Sequence, residues 1–166
     1  EFINKLKKEN NNKEIVSIHL RRGDLTDGTN DISNNYYGKD GKLSDDSICG
    51  NYLNKALSHF DDDKYIFLLF TGGSREGDDN KKDVSWLKDN LKGSNFFYSG
   101  IKTTLEDFAL IKECDHNIMS HSSSFGWWAA YLNDNPNKKV IAPKDYSMEP
   151  DSWSREGFYP DNFTLI

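Results

Sequence analysis

Ile15-Val16-Ser17-Ile18-His19-Leu20 runs straight into Arg21-Arg22-Gly23-Asp24, an apolar, β-branched stretch that ends on two cations, a glycine and a carboxylate. A short run of this kind reads as a buried parallel strand whose polar residues collect at its carboxyl end. On the amino side, Phe2, Ile3 and Leu6 are spaced by lysines as at the end of an amphipathic helix, and Asn10-Asn11-Asn12 break it. On the carboxyl side, residues 25–43 are polar, contain glycines and Tyr36-Tyr37, and show neither period. A loop of that length inside a domain is more often functional than idle.

Beyond the loop, helix and strand signals alternate. Ser44 reads as an N-cap with Asp45 and Asp46 in the first turn, followed by Ile48, Tyr52, Leu53, Ala56, Leu57 and Phe60 at helical spacing. Residues 65–70 form an apolar strand closing on Thr71-Gly72-Gly73-Ser74. Asp83 reads as the cap of a helix through Trp86, Leu87 and Leu91, ended by Gly93, and residues 95–98 as a third strand. Thr103 and Thr104 with Glu106 and Asp107 give overlapping capping patterns for a helix reaching Cys114. Residues 117–119 make a fourth strand, Ser122-Ser123-Ser124 opens a helix carrying Trp127, Trp128, Tyr131 and Leu132, and Val140-Ile141-Ala142 before Pro143 is the last strand. This order predicts an α/β fold, a Rossmann-like parallel sheet flanked by helices and joined by right-handed crossovers. Ligands of such sheets bind beyond the carboxyl ends of the strands. Those ends are residues 21–24, 71–74 and 120–124, all of them small, polar or cationic.

Composition narrows the function. A chain of 166 residues fits one domain, and 36% hydrophobic with 13% aromatic residues supply a core. With 21 Lys+Arg against 27 Asp+Glu the net charge is -6, the wrong sign for a partner held through phosphate neutralisation along nucleic acid. An anionic ligand must therefore meet a local cluster of cations. Cys49 and Cys114 are too few for a disulfide scaffold and lack zinc spacing. No window approaches a membrane span, and residues 1–12 have no apolar core of a signal peptide. With no initiator Met and an opening inside a helix, residues 1–166 are expected to be one domain from the C-terminal part of a longer polypeptide. Membrane attachment would come only through a segment outside it.

Three constellations carry chemistry. Arg21 and Arg22 together offer about ten N–H donors in planar forks suited to a pyrophosphate; the alternative is a surface pair bridged to Asp24. Adjacent strand residues face opposite ways, so Arg21 shares its face with His19 and Arg22 does not. Ser122, Ser123 and Ser124, followed by Phe125 and Gly126, enter a helix, where free N–H groups and hydroxyls can seat a phosphate or simply cap. Asp107 can accept from two neighbouring donors, as the guanine edge presents, or complete a capping box. The runs Asp45-Asp46, Asp61-Asp62-Asp63 and Asp78-Asp79 read as solvated turns, and His59, His116 and His121 lack metal-ligand spacing. No metal and no cofactor is expected.

His19-Leu20-Arg21-Arg22-Gly23-Asp24 resembles the HxRRxD motif of α-1,2-, α-1,6- and protein O-fucosyltransferases. The segment from Asp107 to Met119, continuing from Ser123 to Leu132, closely resembles the second signature of the α-1,2-fucosyltransferases. The resemblance spans residues 15–143 and implies the C-terminal, donor-binding half of a GT-B-like, inverting, metal-independent enzyme. Such an enzyme moves L-fucose from GDP-β-L-fucose to a sugar hydroxyl on a glycan acceptor, galactose-terminated in this family. It implies Arg21 as the catalytic residue on the β-phosphate and His19 beside the guanosine. Asp107 would take the guanine edge, Ser122, Ser123 and Ser124 the phosphates, and Arg22, Asp24 and Phe125 would complete the binding positions. Relatives carry a Ser-Asp-Asp type strand end where this chain has Thr71-Gly72-Gly73-Ser74, and their Gly-rich N-terminal signature has no counterpart here. The rival functions are another GDP-sugar transferase, such as a protein O-fucosyltransferase, and a binding module that has lost transfer. The compartment, cytoplasm or Golgi lumen, turns on the preceding segment.

Overall fold

The computed structural model describes residues 1–23, 32–38, 42–72, 78–100, 103–145 and 157–166, the side chains of 32–34 and 78–80 excepted. The elements in chain order are α1 (Phe2–Glu9), β1 (Glu14–Arg21), α2 (Ile32–Tyr37), α3 (Ile48–Leu57), β2 (Tyr65–Gly72) and α4 (Asp78–Asn90). They continue with β3 (Phe96–Tyr98), α5 (Thr104–Glu113), β4 (His116–Ile118), α6 (Ser124–Tyr131), β5 (Val140–Ala142) and β6 (Phe163–Leu165).

The strands form one sheet in the order β3-β2-β1-β4-β5-β6, every pair parallel. β1 lies at its centre, paired with β2 from Glu14↔Tyr65 to Arg21↔Gly72 and with β4 from Val16↔His116 to Ile18↔Ile118. Buried on both faces, β1 and β2 need apolar residues at nearly every position, which is why they read as continuous runs. The period of two sorts those residues. Val16, Ile18 and Leu20 join Tyr36, Tyr37, Tyr52, Leu53 and Leu87 under α2, α3 and α4, whereas Ile15, Ile66, Leu68 and Phe70 join Leu6, Ile111 and Ala129 under α1, α5 and α6.

The predicted α/β class and parallel sheet are those of the structure, and four local expectations change. A sixth strand, β6, follows the fifth; three residues with one buried side chain, Phe163, carry too little pattern to be read as a strand alone. The 25–43 stretch contains α2, which buries Tyr36 and Tyr37 in the core. Ser47, not Ser44, caps α3: its Oγ accepts from Gly50 N at 3.0 Å and donates to the Ser44 carbonyl at 2.7 Å, leaving Asp45 and Asp46 in the turn ahead. Asp83 is internal to α4 and is taken up by a different partner.

Candidate functional site

Winding reverses direction between β1 and β4, so the chain leaves their carboxyl ends toward opposite faces of the sheet, and the crevice between two such exits is where parallel sheets of this order bind ligands. β1 leaves the sheet through Arg21, Arg22 and Gly23, while β4 leaves through residues 119–123 into α6. The two exits are tied together. Arg21 N donates to Ser120 Oγ at 3.1 Å, and the Arg21 guanidinium donates from Nη1 to the Ser122 carbonyl. Ser122 is left-handed (φ 51°), a conformation that turns the chain sharply before Ser123.

Ser123 is the N-cap of α6, its Oγ accepting from Gly126 N at 3.1 Å. The same oxygen lies 3.3 Å from His19 Nδ1; having accepted from Gly126, it has its one proton available for that nitrogen, and we assign the imidazole hydrogen to Nε2. Burial, with the Arg21 charge alongside, lowers His19 from 6.5 to about 4. His19 is therefore a neutral side chain at pH 7. A Cβ on Gly126 would stand 3.1 Å from His19 Nδ1, so glycine permits the helix start to approach β1 this closely. Phe125 covers the other side of His19, with ring centroids 5.3 Å apart, and meets Phe108 edge-on at 5.4 Å.

That aromatic contact brings in the start of α5. Thr103 and Glu106 form the capping box, so Asp107 is not needed for it. The Asp107 carboxylate instead accepts from Ser99 Oγ at 3.4 Å, just after β3. Next to it, Tyr98 is raised to about 12 by burial and by the Asp107 charge.

Arg22 points to the other sheet face. Its Nε donates to Asp83 Oδ1 at 3.0 Å, Gly23 N donates to Asp83 Oδ2 at 3.1 Å, and the guanidinium lies 3.8 Å from the Trp86 ring centroid and 4.8 Å from that of Tyr37. Arg22 is 8% exposed, and its Nη1 has no hydrogen-bond partner among the described residues. Asp24, the partner expected from sequence for this pair, lies outside the described residues, as do Gly73 and Ser74. The structure thus brings His19, Arg21, Ser122, Ser123, Ser124 and Phe125 to one crevice, sets Asp107 on the neighbouring helix start, and places Arg22 behind β1. Asp83, Ser120, Tyr36 and Tyr37 were missed. The tyrosine pair in a polar stretch was a visible signal; Asp83, one carboxylate among many, offered none.

Elsewhere, a cavity of about 370 Å³ opens at the amino ends of the central strands among Glu14, Lys112, Glu113, Asp115 and Asp134, a lining whose net charge is negative and disfavours anions. Cys49 and Cys114 are buried free thiols, Cys49 pushed up to about 12 and Cys114 further, so neither is a nucleophile near neutral pH. Among the described residues no group of three or more His, Cys, Asp or Glu side chains is arranged to hold a metal ion, and no helix is long and apolar enough to cross a membrane.

The sequence model of glycosyl transferase family 11 matches residues 1–164, a span that takes in β1, α5 and the β4–α6 turn. The chain belongs to glycosyl transferase family 11. Its relatives include the O-antigen biosynthesis glycosyltransferase WbnK of Escherichia coli, 24% identical over 86% of this chain and 44% of that protein. Galactoside alpha-(1,2)-fucosyltransferase 2 of Rattus norvegicus is 29% identical over 89% of this chain and 36% of its own length. Galactoside alpha-(1,2)-fucosyltransferase 1 of the same organism is 32% identical over 72% of this chain. The chain spans less than half the length of these relatives. No solved structure matches. The crevice gathers a cation and a helix start at the strand ends where sheets of this order bind ligands, with a carboxylate on the neighbouring helix.

Proposed function

We propose that this chain is the donor-binding half of an α-1,2-fucosyltransferase that uses GDP-β-L-fucose, inverts the configuration at fucose C1 and needs no metal. The observation that carries the reading is the meeting of Arg21 with the Ser122–Ser123 start of α6 across the β1/β4 reversal. In the proposed reaction the bond from fucose C1 to the β-phosphate oxygen breaks through an oxocarbenium-like transition state. The acceptor hydroxyl oxygen bonds C1 from the opposite face and gives up its proton. Negative charge builds on the departing GDP, and the Arg21 guanidinium with the α6 N–H and serine donors is suited to take it.

His19, neutral and wedged between Ser123 and Phe125, serves as a hydrogen-bonding wall beside the nucleoside, not as an acid. Asp107, free of the capping box, is the candidate for the guanine edge. Arg22, enclosed by Asp83 and Trp86, supports Arg21 from behind. The acceptor, a galactose-terminated glycan by likeness to the relatives' names, would be met by polypeptide beyond this half.

Calorimetric titration with GDP, GDP-fucose and ADP tests the reading. Selective binding of the guanine nucleotides is expected, weakened by Arg21→Ala for all diphosphates and by Asp107→Ala for the guanine ones alone. In the full-length protein, Arg21→Ala should cut transfer on the order of 10²–10³-fold. Retained transfer in that variant would sink the assignment.

A further inference from the structure

The two loops that form the crevice come from strands β1 and β4, and both rest on the same two side chains of α2. Tyr37 donates its hydroxyl to the Arg21 carbonyl, and its ring lies under the Arg22 guanidinium and edge-on to Trp86, 5.3 Å between centroids. Tyr36 meets His121 Nδ1 at 3.0 Å with the rings edge-on, and its hydroxyl is within hydrogen-bonding reach of Ser120, whose Oγ accepts from Arg21 N. His121 and Ser120 belong to the turn that presents Ser122 and Ser123. Both rings are 1% exposed and pack on each other at 4.6 Å, edge to face. One tyrosine therefore grips each loop, and the peptide bond between them holds the grips a residue apart.

We infer that Tyr36 and Tyr37 are positioning residues: a rigid bracket that sets the separation between Arg21 and the α6 start, and so tunes the crevice to a diphosphate. A diphosphate must reach the guanidinium on one side and the helix donors on the other at once, and a shift of about 1 Å in either loop spoils a two-sided grip. Buried rings on a helix hold such a spacing better than a loop could. The bracket acts on the phosphates, for the contacts of the two tyrosines are with the exits of β1 and β4 and, among the described residues, not with Asp107. The inference rests on the donor-site reading above.

The test compares Tyr36→Phe, Tyr37→Phe and Tyr65→Phe in the full-length protein, titrated with GDP and with inorganic pyrophosphate, alongside melting temperatures. Tyr65 is the control, because it opens β2 at the amino end of the sheet, where its hydroxyl accepts from Lys139 Nζ at 3.2 Å and its buried ring packs on Phe60 and His116. The two bracket variants should each lose about tenfold in affinity, by the same factor for GDP and for pyrophosphate. Tyr65→Phe should lower the melting temperature and keep both affinities within about twofold of the parent. Unchanged affinities in the bracket variants, or an equal loss in Tyr65→Phe, would overturn the bracket while leaving the donor site standing. Binding of neither probe by the parent overturns both.

Discussion

Gly126 shows how one missing methyl group shapes the crevice. It sits in the first turn of α6, where alanine would ordinarily be the better helix former by about 0.8–1.0 kcal/mol. Its Cβ would press to 3.1 Å from His19 Nδ1 and 3.5 Å from Ser123 Oγ, displacing the pair that joins β1 to the helix start. The propensity gain and the crowding oppose each other in stability, but only the crowding acts on the site. Gly126→Ala is expected to melt within a few degrees of the parent and to bind GDP measurably more weakly, a split that paired melting and calorimetry would reveal.

At the scale of elements, α4 anchors the exit of β1. Asp83 takes Arg22 Nε and Gly23 N on its two oxygens, at 6% side-chain exposure against 10% for Arg22. Removing one partner of so buried a pair strands a charge, which costs about 3–5 kcal/mol, whereas replacing both by apolar residues is often close to neutral. Asp83→Leu should therefore lower the urea midpoint sharply, and Arg22→Met with Asp83→Leu should recover most of the loss. A double variant no better than the single one would show that the pair holds β1 through directional bonding and not through charge balance. The same pair explains an error of reading: a carboxylate ahead of an apolar helical run looks like a cap, and only the packing of α4 on β1 shows it bonding across the core.

At the scale of the molecule, two histidines at opposite ends of the neighbouring central strands β1 and β4 are held neutral. His19 falls to about 4, and His116, whose Nδ1 accepts from Lys139 N at 2.9 Å beside Phe60 and Tyr65, is also lowered by burial. In the unfolded chain both titrate near 6.5. As pH falls below 6.5 the unfolded state takes up protons that the folded state refuses, so stability is complete above 6.5 and declines down to about 4 for His19, where its loss ends. That loss is on the order of 3 kcal/mol for His19. Urea unfolding at pH 7.5, 5.5 and 4.5 should show midpoints falling steadily, less so in His19→Gln. A flat midpoint over that range would mean that His19 is solvated and titrates normally.

What the sequence determined by itself was local. Runs of apolar residues, caps and breakers are read within a dozen positions, and they sufficed for the alternation of helix and strand, the parallel sheet, and the gathering of His19, Arg21 and Ser122–Ser124 at strand ends. The two family-like motifs added Asp107 and Phe125 in the right order along the chain. Tertiary structure decided what depends on contacts between residues far apart: the β1/β4 reversal, the pairing of Arg22 with Asp83, the release of Asp107 from its helix cap, the short β6, and Tyr36 and Tyr37 beneath both loops. The physical reason is that spacing along a chain encodes which face a side chain takes, while the partner it meets there is chosen by how distant elements pack.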